Sequence, residues 1–405
     1  MLKSHLKLAL KVLRRRPFFT AVSLVGIGLT LLVLTVTTAV FDHIFAPYPP
    51  EVRQQRTLLV SFLELQGEHM RSRSWPGYRF LDSYGRGLPG VERMSIASLA
   101  GSAFSYVNGT RVRSYLKRTD AEFWRILAFA FVEGVPFGDD EVRSGSYVAV
   151  INETTRERFF GSGPALGRSV ELDGQDYRVV GVVRDVPFLR LVPFADVWVP
   201  LTAQRGDGWR HELLGDMMGI LLARGRKDFP AIRTEFASRL AGMDLSGTPY
   251  KSAYARPQSL LETVFEIMRV DRNAIGILAV LFFGFLALPV INLVNLNVSR
   301  ALERASEIGV RRAFGASRRR LVAQFVLENV VLTLIGGLLA FAATELAMRA
   351  LTASAVVPYG DFHVNLRIFG WALAFAVVFG VLSGAWPAWR LSRLHPVDAL
   401  RGSMR

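Results

Sequence analysis

The stretch SRALERASEIGVRRAFGASRRR, residues 299–320, holds seven arginines and two glutamates and lies between two long apolar runs. Such apolar runs are typical of membrane spans, and short basic loops between spans stay in the cytoplasm during insertion. Inside the stretch, Glu307 precedes Arg311 by four residues, and Ile308 and Phe314 can share an apolar face. This pattern predicts a surface helix on a cytoplasmic loop.

The end of that helix is also marked in the sequence. Gly315 can adopt the left-handed conformation that ends a helix, and Ser317 can cap the helix that follows. A helix with defined ends on a cytoplasmic loop is better suited to docking a partner than to tethering two spans.

Four apolar segments are long enough to cross about 30 Å of hydrocarbon, because a helix rises about 1.5 Å per residue. They predict membrane helices over residues 17–42, 273–298, 321–348 and 368–389. Residues 43–272 separate the first two helices, and a short external loop, 349–367, joins the last two. The predicted fold class is a membrane α-helical protein with four transmembrane helices and a large extracytoplasmic domain inserted between helices 1 and 2.

The charge distribution predicts the orientation in the membrane. The chain carries a net charge of +15, although 51% of its residues are hydrophobic. Seventeen Lys or Arg and three acidic residues, a net charge of +14, fall within 1–16, 299–320 and 390–405. These pieces are therefore predicted to be cytoplasmic, with both termini inside. Residues 44–272 carry 30 basic and 27 acidic residues, so the excess is a topology signal rather than a nucleic-acid footprint.

The N-terminal residues 1–16 combine lysines at every fourth position with leucines on a neighbouring face. This pattern predicts an amphipathic helix in the membrane interface. The alternative is a charged flank that only fixes the orientation of the first span. The apolar run that follows has no persuasive cleavage site, which predicts an uncleaved span rather than a signal peptide.

The large inserted segment mixes strand-like and helix-like runs. Three runs rich in β-branched and aromatic residues predict strands: Tyr177–Val183, Ala195–Leu201 and Gly219–Ala223. Asn152 can cap a helix over 153–160, and Asp173-Gly174 is typical of a hairpin turn. The chain has no cysteine, so disulfides are excluded and the core must hold this segment together. These signals predict a mixed α/β domain.

The sequence lacks the motifs of the common enzyme classes. It has no G-x-x-x-x-G-K-[ST] phosphate loop, no H-x-x-x-H pair and no G-x-S-x-G elbow. The glycine-rich run at 161–167 follows no strand and is interrupted by Pro164, which predicts a surface turn. Nothing in the sequence argues for an enzyme active site, or for a metal or cofactor bound by this chain.

Polar residues inside the predicted spans are the remaining candidates. They are Asn292, Asn295, Asn297, Glu328 and Asn329. Because buried polar groups are costly in lipid, these side chains should face protein, water or the interface. One interpretation is that they transmit motion or line a substrate route. The alternative is that they hold helices together or mark a helix end at the lipid headgroups. Gly26, Gly28, Gly336 and Gly337 predict close helix packing.

The run EIGVRRAFGASRRRLVAQFVLENVVLTLIGGLLA, residues 307–340, resembles the signature of FtsX/MacB-type ABC transporter permeases. Residues 151–187 resemble the extracytoplasmic domain of that family, the MacB-like periplasmic core domain, and HPVDALR, at 395–401, resembles its C-terminal tail. The resemblance implies a type VII, mechanotransmission permease in the bacterial cytoplasmic (inner) membrane. Larger members of the family carry a fused ATPase domain, which this sequence does not show.

The resemblance also implies partners and roles. The loop between the second and third spans would contact an ABC-type ATPase subunit, which would bind ATP and Mg. The residues expected to couple to it are Glu303, Glu307, Ile308, Gly309, Arg311, Arg312, Phe314, Gly315 and Ala316. Further expected partners are a second permease copy or paralogue, membrane lipid and a periplasmic adaptor protein, without nucleic acid.

The expected output is the export, or efflux, of a peptide, antibiotic or lipoprotein-like substrate by a dimer. Two alternatives remain open from the sequence. One is an FtsX-like regulator of cell-wall hydrolases. The other is a membrane sensor or scaffold with no transport role, although the cytoplasmic pieces are short for a signalling domain.

Overall fold

The computed structural model describes residues 17–107, 109–269, 317–354, 358–360 and 364–391, with isolated helical positions between 276 and 295. The predicted amphipathic helix 1–16, most of the loop 299–320 and the last fourteen residues lie outside this range. The described residues fall into two compact units. The helical unit takes those of Met1–His43, Arg272–Val356 and Asp361–Arg405, and the large domain takes those of Ile44–Asp271 and Val357–Gly360.

Helices occur in both units. They are α1 Pro17–Phe45, α2 Tyr78–Gly85, α3 Ala121–Ile126, α4 Asp139–Ser144, α5 Glu153–Phe160, α6 Phe229–Ala241, α7 Leu260–Ile267, α8 Arg318–Ala353 and α9 Leu366–Leu391. Among the described residues, three short 3-10 turns cover Gln54–Arg56, Gly208–Arg210 and Arg226–Asp228.

The long apolar helices are α1, α8 and α9. Within the described residues, Thr20–Phe45 and Val322–Ala353 are long and apolar enough to cross a membrane, and Leu366–Leu382 is a shorter apolar segment. The predicted span 273–298 falls on isolated described positions, so the count of four transmembrane helices stays a prediction. Helix α1 runs three residues past the predicted end at 42, because the first proline that can stop it is Pro47.

The helical unit is packed through small residues. A Cβ placed on Gly336 of α8 would lie 2.8 Å from Ile27 Cγ2, and one on Gly337 would lie 2.6 Å from Leu373 Cδ1. Both distances are shorter than van der Waals contact, so each glycine lets a neighbouring helix approach closely. The predicted packing role of these two glycines is confirmed.

The large domain is built on two sheets. Its strands are β1 Thr57–Val60, β2 Leu63–Gly67, β3 Arg71–Pro76, β4 Val91–Ser98, β5 Gly101–Val107, β6 Thr110–Thr119, β7 Phe131–Gly134, β8 Val148–Asn152, β9 Ser169–Leu172, β10 Gln175–Val183, β11 Val197–Pro200, β12 Leu214–Gly215, β13 Met217–Ala223 and β14 Tyr250–Ala255. With helices on these sheets, the predicted mixed α/β class is confirmed.

The larger sheet has the order β1-β13-β4-β6-β11-β8-β10-β7, with β5 beside β6 and β9 beside β10. The pairs β6–β11 and β8–β10 are parallel, and its other pairs are antiparallel. The smaller sheet has the order β12-β3-β2-β14. Buried β-branched side chains fill the central strands, as expected where both faces are covered.

Local signals in the sequence placed several elements of this domain. Asn152 Oδ1 accepts a hydrogen bond from Thr155 N at 2.8 Å and so caps α5. Asp173 and Gly174, at φ 51° and 75°, form the turn between β9 and β10. Both predictions are confirmed. The predicted strand 195–201 is shorter in the structure, where β11 covers Val197–Pro200 and residues 195–196 belong to the loop before it.

Candidate functional site

One loop of the large domain contacts two segments that adjoin apolar helices in the sequence. This junction loop, residues 184–196, connects β10 to β11. One segment that it contacts is 46–51, immediately after α1. The other is 358–359, between α8 and α9. The loop therefore links parts of the chain that are remote in sequence but adjacent to different apolar helices.

Arg190 fixes the segment after α1. Its Nη1 donates to Ala46 O at 2.9 Å and to Glu51 Oε2 at 3.2 Å. The side chains of Arg190 and Glu51 are each only 4% exposed. Burial raises the pKa of Glu51, and the neighbouring guanidinium opposes that rise. Removing either partner would leave an uncompensated group in the interior, which is strongly destabilising.

Lys117 supports the junction loop from strand β6. Its Nζ donates to Leu191 O at 3.3 Å and to Val192 O at 2.5 Å. The residue is 1% exposed, and burial lowers the pKa of its ammonium group to about 7, with Glu51 opposing the change. The lysine thus satisfies two loop carbonyls that would otherwise be buried without donors.

Asp196, the last residue of the junction loop, holds the segment between α8 and α9. The Tyr359 hydroxyl donates to Asp196 Oδ1 at 2.6 Å. Oδ2 accepts from Tyr115 N at 2.7 Å, and Asn152 Nδ2 lies 3.4 Å from Oδ1. Burial raises the pKa of Asp196 and the pKa of Tyr359. A protonated tyrosine is therefore maintained at neutral pH as a donor to the carboxylate.

Backbone and ring contacts reinforce this attachment. Phe188 N donates to Pro358 O at 3.0 Å. The ring of Phe194 lies 5.1 Å from that of Tyr115, 5.0 Å from that of Phe188 and 6.4 Å from that of Tyr359. These rings form an aromatic cluster at the junction loop, and pairs at such spacings are attractive beyond their buried area.

A single hydrophobic core collects the segments that adjoin the apolar helices. Phe45, at the end of α1, and Tyr359 pack against the core that contains Phe194 and Trp198. Leu260 and Val264 of α7, which precedes the predicted second span, join the same core. Helix α7 is fixed at its start by a capping box between Ser259 and Glu262. A displacement of any of these segments would therefore change contacts in the core of the domain.

The residues predicted to couple to an ATPase lie outside the described residues. They are Glu303, Glu307, Ile308, Gly309, Arg311, Arg312, Phe314, Gly315 and Ala316. Ser317 occupies the N-cap position of α8, although its side chain makes no capping hydrogen bond. The roles given to this loop therefore remain predictions.

The intramembrane polar candidates have different environments. Asn292 and Asn297 lie outside the described residues, and Asn295 is an exposed helical position. Glu328 and Asn329 are each 7% exposed within the helical unit. Gln324 Nε2, one turn before, donates to Glu328 Oε1 at 3.0 Å. The structure thus buries the polar pair of α8 within the helical unit.

Sequence reasoning missed the residues of the junction loop. Arg190 and Asp196 stand inside the otherwise apolar run FLRLVPFADVWVPL, residues 188–201. A lone charge in such a run indicates a buried partner, because an unpaired charge is costly in the interior. The partner's identity could not be deduced, since Glu51 and Tyr359 lie 139 and 163 residues away from Arg190 and Asp196. Among the residues that the structure describes, no group of His, Asp and Glu could hold a metal ion.

Long apolar helices precede and follow a mixed α/β domain in this chain, an arrangement typical of membrane proteins with a large domain after the first helix. Residues 20–236 match the family model of the MacB-like periplasmic core domain. Residues 279–396 match the model of the FtsX-like permease C-terminal region. The chain therefore belongs to the MacB/FtsX-type ABC transporter permeases, as the resemblance of 307–340 implied.

Relatives agree with this assignment. The chain is 27% identical over 316 residues to the uncharacterized ABC transporter permease YvrN of Bacillus subtilis (strain 168), covering 77% of this chain and 76% of that one. It is 27% identical over 309 residues to the macrolide export ATP-binding/permease protein MacB of Burkholderia pseudomallei (strain 1710b), covering 71% of this chain and 43% of that one.

Solved structures of extracytoplasmic domains are also similar to part of the chain. The extracellular domain of the ABC-type transporter YknZ from Gram-positive bacteria matches 49% of this chain and 98% of that one, with 17% identity and a TM-score of 0.38. The periplasmic region of MacB from Actinobacillus actinomycetemcomitans matches 52% and 92%, with 15% identity and a TM-score of 0.38. The family assignment rests on the sequence matches.

Proposed function

We propose that this permease couples ATP hydrolysis by a separate ATPase subunit to movement of its large domain. The observation that carries the proposal is the junction loop, where contacts from 46–51 and 358–359 meet in one core. A domain with this arrangement can follow displacements of the adjoining helices without opening a channel of its own. Export of a peptide, antibiotic or lipoprotein-like substrate is the proposed output.

The proposed ATPase contact is the cytoplasmic loop 299–320. Phe314 is the bulkiest apolar residue of a loop that carries seven arginines and two glutamates, and leaving its ring in water would forfeit about 2 kcal/mol of burial free energy. We therefore assign it to a pocket of the ATPase, with Gly315 holding the turn behind it. ATP and Mg belong to that partner in this proposal, because the sequence contains no phosphate loop.

The proposed topology has four spans in the bacterial inner membrane, with both termini in the cytoplasm and the large domain outside. Its support is the +14 charge of the three pieces 1–16, 299–320 and 390–405. Single cysteines placed in the cysteine-free chain test it with an impermeant maleimide on intact spheroplasts. A cysteine at Ser102 should react at once, and one at Ser306 only after permeabilisation. The opposite order would exclude this topology.

The decisive test of function is purification of the tagged full chain from its native membrane, followed by mass spectrometry. We expect an ABC-type ATPase and a second permease chain to copurify, and ATP hydrolysis to appear only in that complex. A periplasmic adaptor in the same preparation would favour export, and a cell-wall hydrolase would favour the regulatory alternative. Robust ATP hydrolysis by the isolated chain, or a preparation with no ATPase subunit, would refute the proposal.

A further inference from the structure

We infer that the junction loop clamps the segment after α1 to the segment between α8 and α9, and that Tyr359 is the positioning residue of this clamp. The inference deepens the proposed function and rests on it, because a clamp of this kind matters only if helices drive the large domain. Through the atoms of this loop, two separate helix connections would move together.

The clamp has two anchors on one short loop. Arg190 holds Ala46 and Glu51 through one buried guanidinium. Six residues later, Asp196 holds Tyr359 through one buried carboxylate. Because 46–51 follows α1 and Tyr359 lies between α8 and α9, a force on either connection reaches the same loop.

The loop between the anchors is stiff. Arg190 N donates to Pro187 O at 2.9 Å, and Phe194 N donates to Arg190 O at 3.0 Å. Trp198 Nε1 donates to Pro193 O at 3.1 Å, and Lys117 holds the two carbonyls between these turns. A loop with its carbonyls and amides bonded in this way transmits a displacement instead of absorbing it.

The backbone conformation of Tyr359 indicates that side-chain contacts, and not backbone preference, account for a tyrosine at this position. Its φ of 57° lies in the left-handed region, which a bulky residue rarely adopts and which glycine occupies freely. The tyrosine is held there by the Phe188–Pro358 hydrogen bond, by the ring of Phe194 and by its hydroxyl on Asp196. Removing the hydroxyl oxygen alone tests the part of this attachment that depends on the hydrogen bond to Asp196.

The matched control is Tyr115. Its ring belongs to the same aromatic cluster, but its hydroxyl accepts a hydrogen bond from the exposed Arg113 Nη2 at 3.0 Å and does not touch Asp196. Tyr359→Phe and Tyr115→Phe therefore each remove one oxygen from one cluster, and only the first removes a contact of the clamp.

The first measurement uses the full chain in lipid nanodiscs and needs no ATPase. The Phe188 amide, which bonds Pro358 O, reports whether the 358–359 segment is attached. In Tyr359→Phe we expect its hydrogen exchange to accelerate by roughly tenfold or more, since a hydrogen bond to a charged acceptor is lost. Tyr115→Phe should exchange like the unmodified chain. Equal exchange in all three proteins would overturn the clamp, whatever the ATPase does.

The second measurement uses the complex with its copurified ATPase. Trapping the ATPase with ATP and vanadate should change exchange in residues 184–196 of the unmodified chain and of Tyr115→Phe. In Tyr359→Phe this nucleotide-dependent change should be lost, while ATP hydrolysis, assayed without vanadate, continues. If Tyr359→Phe retains the change, the positioning role is refuted and the proposed function stands. Failure of any ATPase to copurify would instead refute the proposed function, with the clamp still judged by the first measurement.

Discussion

Glu51 and Arg190 form an ion pair across 139 residues of sequence, with a separation of 3.2 Å and both side chains withdrawn from solvent. The pair joins the segment after α1 to the junction loop. A charge pair placed inside a domain costs desolvation free energy, and its mutual attraction offsets that cost only while both partners remain. Removing one partner should therefore destabilise the domain more than removing both, and this difference can be measured.

Replacing Arg190 with methionine should destabilise the large domain by about 3–5 kcal/mol, because Glu51 would be left buried without its partner. The double variant Glu51→Gln/Arg190→Met should recover much of that loss. Chemical unfolding of the full chain in detergent, followed by tryptophan fluorescence, measures both effects.

The surface pair Arg143–Asp140 supplies the control, since its side chains are 77% and 91% exposed. Arg143→Met should change the free energy of unfolding by less than about 1 kcal/mol. If Arg190→Met is equally mild, the buried pair does not hold the junction loop in place.

The pH dependence of stability should carry the signature of Lys117. Its folded pKa of about 7 lies below the ordinary value of 10.5, so between these pH values the unfolded chain binds a proton that the folded domain lacks. The free energy of unfolding should therefore rise with pH across this window, by at most about 1.4 kcal/mol per pH unit from this group. Lys117→Met should flatten that rise, measured as the unfolding midpoint at several pH values from 7 to 10. An unchanged slope in the variant would show that Lys117 is charged in the folded domain throughout.

Close packing between α1 and α8 should fail when Gly336 is enlarged. Gly336→Val places a Cβ 2.8 Å from Cγ2 of the stiff Ile27 side chain, and overpacking of this kind costs about 1–3 kcal/mol. Gly370→Val is the matched control, because nothing lies within 4 Å of a Cβ at that helical position. Thermal unfolding of the two detergent-solubilised variants separates the clash from the common change in helix propensity. Equal losses in both would remove the packing role.

The proposed cytoplasmic contact predicts a hierarchy among loop variants. Phe314→Ala should abolish capture of the ATPase while leaving membrane insertion intact, because the ring fills the proposed pocket. Gly315→Val should have the same effect through the turn. Neutralising Arg318 and Arg319 together should be milder, since their expected contact is the lipid headgroup region. ATPase pull-down with each variant ranks them, and loss of binding in the double arginine variant alone would indicate electrostatic docking instead.

Features determined by neighbouring residues could be predicted from the sequence. The cap of α5 by Asn152, the turn at Asp173-Gly174 and the close approach at Gly336 each depend on local conformation or side-chain size. Helices α1 and α8 could be predicted because the hydrophobicity of one continuous segment is enough to identify each. In these cases the relevant interaction is short in sequence or is a property of one residue type.

The contacts of the junction loop could not be predicted in this way. The loop contacts segments that precede and follow it by well over a hundred residues, and no periodic pattern records which charge meets which. Lys117 looks like an ordinary strand residue in the run RSYLKRT, and its burial follows from the order of the strands in the larger sheet. Partner choice of this kind is decided when the domain closes, after the local elements exist.

The contact between Asp196 and Tyr359 also has a consequence for biosynthesis. The ribosome makes Asp196 163 residues before Tyr359, and domains begin to fold as they emerge. The Asp196 carboxylate therefore lacks its tyrosine donor until α8 has been translated and residue 359 has reached the same compartment. The core of the domain is then complete only after α8 has been made. A chain truncated before Tyr359 should therefore have an incomplete core, which quality-control proteases can recognise.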